Sequence, residues 1–149
     1  MKKASILIVD DNEGILETLS AILEEKGYRT DTAKNGREAI EKSKMTFYNL
    51  ALLDIKLPDI EGTKLLTEIG ETTPRMVKIM VTGYASLENA VEALNLGADA
   101  YIMKPVDPEN LLKIVNEKLT EQKKTEKMTE GKVTEWIKTR ARKLEKERQ

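Results

Sequence analysis

Residues 6–11 read Ile6-Leu7-Ile8-Val9-Asp10-Asp11, four aliphatic residues followed by two adjacent carboxylates. The run is short, continuously apolar and made of β-branched or leucyl residues, the pattern of a strand buried on both faces. Ending it on two acids is costly, because like charges repel and each loses free energy on desolvation. Some other group must compensate them. A second run of the same kind, Asn49 to Asp54, also ends in an acid.

The remaining elements are laid out around these two runs. Ile15, Leu16, Leu19, Ile22 and Leu23 recur at helical spacing, and Gly27 closes that helix. Tyr28 to Ala33 reads as a strand, Asn35-Gly36 as a turn, and Arg37 to about Lys44 as a helix. Pro58 and Gly62 punctuate the loop after Asp54, and Thr63 to Ile69 is helical in pattern. Val77 to Thr82 is a further strand, and Ser86 caps a helix that runs to Gly97. Ala100 to Lys104 is the last strand, and Asp107-Pro108 opens a helix through Leu111, Leu112, Val115 and Leu119. Strands and helices alternate five times, which predicts a doubly wound α/β fold with a parallel sheet covered on both faces. Sites in such sheets form beyond the carboxyl ends of the strands.

The polar residues that end these strands are Asp10, Asp11, Asp54, Thr82 and Lys104. Any one alone is an ordinary loop polar group or cap; five at strand ends are a site. The chain has no cysteine and no histidine. That excludes disulfides, thiolate or imidazole metal ligands, and Ser-His-Asp or Cys-His catalysis. A metal must be held by oxygen, and three carboxylates suit one Mg²⁺. With Lys104, that ion compensates Asp10 and Asp11. One Asp can itself be a nucleophile forming an acyl phosphate, with metal, ammonium and hydroxyl neutralising the phosphoryl group.

The segments VDD, LLDIKLPDIEG, VTGYAS and YIMKP, in that order, closely resemble the receiver domain of two-component response regulators over about residues 4–120. The resemblance implies a flavodoxin-like sheet of order 2-1-3-4-5, with Asp54 as the phospho-acceptor. It implies Asp11, Asp54 and the backbone carbonyl of Lys56 as Mg²⁺ ligands, with Asp10 acting largely through water. Thr82 resembles the switch hydroxyl, Lys104 the ammonium that pairs with the acyl phosphate, and Tyr101 the aromatic that swings inward. The Lys104–Pro105 bond is expected to be cis. Lys56 and Tyr84 occupy the two positions that modulate phosphoryl lifetime among receivers. The implied phosphoryl source is a histidine kinase or phosphotransfer protein. Haloacid-dehalogenase-like phosphatases use similar groups but need an acid two residues after the nucleophile, where this chain has Lys56. A degenerate receiver would lack a site residue, and none is missing. No glycine-rich phosphate loop follows Val9.

Net charge is −1, yet Lys123 to Gln149 carries ten basic and five acidic residues, leaving fifteen basic and twenty-one acidic in residues 1–122. The division expected is a receiver over 1–122 and a basic helical extension over 123–149. Beyond Gly131, Val133, Trp136, Ile137, Arg140, Ala141 and Leu144 lie on one helical stripe. Gln122 to Glu130 offers only Met128 as an apolar anchor, so two helical segments meeting at Gly131 are expected, the second ordered by docking, with self-association into a homodimer favoured. No base-reading motif accompanies the basic face, so nucleic acid is not expected. The extension is too short for an output domain. Without a signal-peptide core or a run near the ~18 apolar residues of a membrane span, a cytoplasmic location is expected.

Overall fold

The computed structural model describes residues 3–69, 75–83 and 86–148, with the backbone alone at 87, 89, 128–130, 133, 136 and 143–148. Five strands alternate with five helices: β1 (Ser5–Val9), α1 (Glu13–Glu25), β2 (Arg29–Ala33), α2 (Gly36–Met45), β3 (Leu50–Leu53), α3 (Gly62–Glu68), β4 (Val77–Thr82), α4 (Leu87–Asn95), β5 (Ala100–Met103) and α5 (Pro108–Arg148). All strand pairs are parallel and the order is β2-β1-β3-β4-β5.

The first strand shows why the sheet must be covered twice. Leu7 and Val9 point into a layer shared with Ala39 of α2, Leu65 and Leu66 of α3 and Ala93 of α4. Ile6 and Ile8 point the other way, into a layer with Leu16, Leu19 and Leu23 of α1 and Leu111, Val115 and Leu119 of α5. A polar residue at any of these four strand positions would have to be desolvated without a ladder partner for its side chain. Asn12 caps α1, its Oδ1 accepting the Ile15 N–H at 3.1 Å. Gly27 ends that helix with φ +91°, a conformation open to glycine at no steric cost.

The chain leaves β1 for β2 on one side, then crosses to β3 on the other. Val9 is registered with Leu53, so the residues that follow, Asp10 and Asp54, emerge side by side at this reversal of strand order. That is the topological switch point, where open α/β sheets leave a crevice for ligands.

The last helix departs from expectation. It runs unbroken for 41 residues, through Gly131 and across the expected boundary at 122, rather than as two segments. One exposed glycine costs a helix about 1 kcal/mol relative to Ala, and the Lys, Glu and Met around it are good helix formers. Gln122 is also held down, contrary to the apolar-anchor argument: its Nε2 donates to the carbonyls of Asn49 (2.9 Å) and Arg75 (2.8 Å). Polar contacts to the sheet do there what apolar packing does at Leu119. Ile137 is 56% exposed; the side chains of Val133, Trp136 and Leu144, on which the stripe argument rests, lie outside the described residues. No helix among the described residues is long and apolar enough to cross a membrane.

Candidate functional site

Beyond the carboxyl ends of β1 and β3 lies a cleft of about 360 Å³, lined by Asp10, Asp11, Asp54, Lys56 and Lys104 together with Asn12. Backbone bonds set the depth of its acids. The Asp10 N–H donates to Ala33 O (3.1 Å) and the Asp54 N–H to Val9 O (3.0 Å), so each acid continues its ladder by one rung. Both are buried, while Asp11 is exposed. One carboxylate oxygen from each of the three lies within 4.8 Å of the other two.

Lys104 reaches this group from β5. Its N–H donates to Thr82 O at 2.9 Å, a rung beyond the Thr82–Met103 pair, and its Nζ meets Asp10 Oδ2 at 2.7 Å and Asp54 Oδ2 at 3.3 Å. The Lys104–Pro105 peptide is cis. The other Asp10 oxygen accepts the Asn12 N–H at 2.9 Å, and Asp54 Oδ1 accepts the Lys56 N–H at a long 3.4 Å. Burial pushes the Asp54 carboxyl above its ordinary range; Lys104 pulls it down and the Asp10 charge adds to the rise. For Lys104 burial works against the charged form, but its pairing with Asp10 and Asp54 outweighs that, so it stays protonated.

Against the two ammoniums that line the cleft, Lys104 and Lys56, the three acids make a donor set of −3 when all are ionised. An all-oxygen donor set of that charge fits a divalent hard cation, and Mg²⁺ keeps part of its water shell, so the carboxylates need not all touch it. Lys56 places its N–H on Asp54 and its side chain at the cleft. Thr82 is fully buried at the end of the adjacent strand and does not line the cleft. Tyr101 is half-buried against the α2–α4 layer, with its phenol raised by desolvation. Tyr84 lies outside the described residues.

Two contributors are absent from the sequence reading. Asn12 orients Asp10 through its N–H while capping α1 with its side chain; an Asn just before a periodic apolar run was a readable cap signal. In the sequence Gly62 reads only as loop punctuation. A Cβ there would sit 2.1 Å from Asp54 O and 2.7 Å from Ile55 Cα, backbone atoms with no room to yield. Gly62 therefore lets α3 begin against the backbone of Asp54. No local signal separates such a glycine from one that merely turns the chain.

Comparison with known proteins adds an independent line. The response regulator receiver domain model matches residues 6–116. A CheY-like response regulator receiver domain protein from Methanospirillum hungatei JF-1 is 55% identical, with a TM-score of 0.80 over 83% of this chain and 99% of that one. The transcriptional regulatory protein ZraR of Klebsiella oxytoca is 35% identical over 134 residues, 90% of this chain and 29% of that protein. The regulatory protein AtoC of Escherichia coli K12 is 39% identical over 114 residues, 76% of this chain and 25% of its own. The chain thus spans under a third of the length of these two curated relatives. Their shared portion is the one that carries the sheet and its acidic cleft, and by that match this chain belongs to the response regulator receiver domain family.

Proposed function

We propose that this receiver takes a phosphoryl group onto Asp54 from the phosphohistidine of a histidine kinase or phosphotransfer protein, in a Mg²⁺-dependent reaction within the cytoplasm. The observation that carries the reading is Lys104 Nζ bridging the Asp10 and Asp54 carboxylates, with Asp11 beside them, at the switch point of the sheet. An Asp54 oxygen attacks phosphorus as the P–N bond to imidazole breaks, its electron pair leaving with the imidazole nitrogen. Partial desolvation of Asp54 favours the attack, since a poorly solvated carboxylate is the stronger nucleophile. Lys104 keeps its proton and offers an ammonium to the phosphoryl oxygens. Asp11, Asp54 and the Lys56 carbonyl would hold the cation directly, with Asp10 acting through water. When bound, Mg²⁺ supplies positive charge that offsets the charge on the transferring group. Water later cleaves the acyl phosphate, returning the carboxylate and inorganic phosphate, so the chain catalyses only its own phosphorylation and dephosphorylation.

The output is a changed protein-interaction surface. Thr82 and Tyr101 form the two-state element, and Lys56 and Tyr84 set how long the phosphoryl group survives. The receiver spans 1–122, and the basic extension 123–149 joins two copies in a homodimer rather than contacting nucleic acid. Incubation with a phosphohistidine donor and Mg²⁺ tests the reading: wild type should take up one phosphoryl group and Asp54→Asn none. Equal labelling of the two would place the acceptor elsewhere.

A further inference from the structure

The loop from Asp54 to α3 is tied at two places. At its base the Gly62 N–H donates to Ile55 O at 2.6 Å, and Lys56 and Glu61 form an antiparallel bridge. At its tip it is bound to a different element. Asp59 Oδ1 accepts the Gly36 N–H at 2.8 Å and Oδ2 accepts the Arg37 N–H at 2.9 Å, the first two amides of α2. Beside it, Ile60 fills the space over Gly36, where a Cβ would lie 1.9 Å from its Cγ2. A carboxylate at a helix N-terminus gains from the dipole and from charge-assisted bonds. Desolvation works to raise the Asp59 carboxyl, but the backbone N–H groups of Arg37 and Gly36 outweigh it and hold the carboxyl below its usual range.

Helix α2 already has a local cap, since Asn35 Oδ1 accepts the Glu38 N–H at 2.8 Å. The Asp59 contacts therefore do more than finish a helix end. They link the loop that follows Asp54 to the segment that follows β2, whose Ala33 carbonyl receives the Asp10 N–H. The loop that lines one side of the cleft through Lys56, Leu57 and Pro58 is thus anchored, beyond the lining, to the start of α2. Lys56 lies on that loop, and its own bond to Asp54 is long, at 3.4 Å.

We infer that Asp59 is a positioning residue for the cleft: by gripping the Gly36 and Arg37 amides it fixes the 56–61 loop and so holds the Lys56 peptide where a cation on Asp11 and Asp54 needs it. The inference rests on the reading of the cleft given above. Groups that hydrogen-bond a metal's ligands change metal affinity by roughly 10- to 100-fold when removed; Asp59 acts one step further out, through the backbone of the 56–61 loop, so the low end of that range is expected.

The test is calorimetric titration of the full chain with Mg²⁺, beside hydrogen exchange of the Ile55 and Lys56 amides. Asp59→Ala should bind Mg²⁺ roughly ten-fold more weakly than wild type and exchange faster at Lys56. Asp59→Asn, which keeps one acceptor oxygen, should fall between. Asn35→Ala removes a cap of the same helix without touching the loop; it should lower the melting temperature yet leave Mg²⁺ affinity and Lys56 exchange as in wild type. Wild-type affinity in Asp59→Ala, or an equal loss in Asn35→Ala, would overturn the inference while leaving the cleft's assignment standing. A wild-type chain that binds no Mg²⁺ would overturn both.

Discussion

The same two strands, β1 and β3, begin at one rim of the sheet and end at the other, and the rims are built on opposite rules. At the amino rim the Asn49 N–H meets Ser5 O at 2.9 Å and the Ser5 N–H meets Asn49 Oδ1 at 3.0 Å. Gln122 completes the knot, accepting from Asn49 Nδ2 at 3.3 Å and donating to the carbonyls of Asn49 and Arg75. Every partner there is a neutral amide or a backbone group. At the carboxyl rim the corresponding positions are Asp10 and Asp54, acids that share one ammonium. The first rim closes on itself and locks α5 to the sheet. The second leaves negative charge uncompensated by the protein, which is what a site for a cation and a phosphoryl group requires.

Gly62→Ala should break the functional rim most severely. The added Cβ meets backbone at 2.1 and 2.7 Å, an overpacking that costs about 3 kcal/mol and displaces Asp54. Urea denaturation should show the loss, and phosphoryl uptake should fall with it even where the variant is folded. A variant that labels and melts like wild type would mean the loop shifts freely.

Adding Mg²⁺ sharpens the contrast from the other direction. Its stabilisation follows mass action, about 2.7 kcal/mol at a hundred times the dissociation constant. The melting temperature should rise with Mg²⁺ in wild type and not in Asp11→Ala. A rise of equal size in both would put the ion elsewhere.

Gln122→Ala probes the closed rim. It deletes three hydrogen bonds and leaves partly satisfied carbonyls, costing about 1–2 kcal/mol. Phosphoryl uptake should be unchanged. A matching loss of uptake would show that the rims are coupled rather than separate.

The smallest effect is on stability at Asp54 itself. Burial raises its folded carboxyl above the ordinary 3.8, so between those two values the folded state binds more protons and stability falls as pH rises. Above that window the cost is fully present. Asp54→Asn should therefore be more stable than wild type at neutral pH by about 1 kcal/mol, and the gap should close as pH drops towards 3.8. A destabilised Asp54→Asn at neutral pH would mean the attraction of Lys104 exceeds the desolvation cost.

The contrast between the rims also marks what the sequence could reveal. Buried parallel strands announce themselves through runs such as Ile6–Val9 and Leu50–Leu53, because facing two helical layers leaves little room for polar alternation. The acids at their ends stand out against that background. Contacts made at long range do not. Gln122 binds Asn49 from 73 residues away, and Asp59 binds Gly36 from 23 away; an amide or an acid in a polar segment carries no mark of its partner. The continuity of α5 through Gly131 is hidden in the sequence for a different reason. A helix penalty of about 1 kcal/mol is a local preference, too small to cut a helix whose other residues favour it.

The most direct test of the account is to locate the phosphoryl group. The chain is treated with a small acyl-phosphate donor and Mg²⁺, the product is reduced with borohydride, which converts a phosphorylated aspartate to homoserine, and the digested peptides are sequenced by mass spectrometry. The account predicts homoserine at position 54 alone, dependent on Mg²⁺ and absent when donor is omitted. Conversion at Asp10 or Asp11 instead, or none at any position while the donor is consumed, would contradict it.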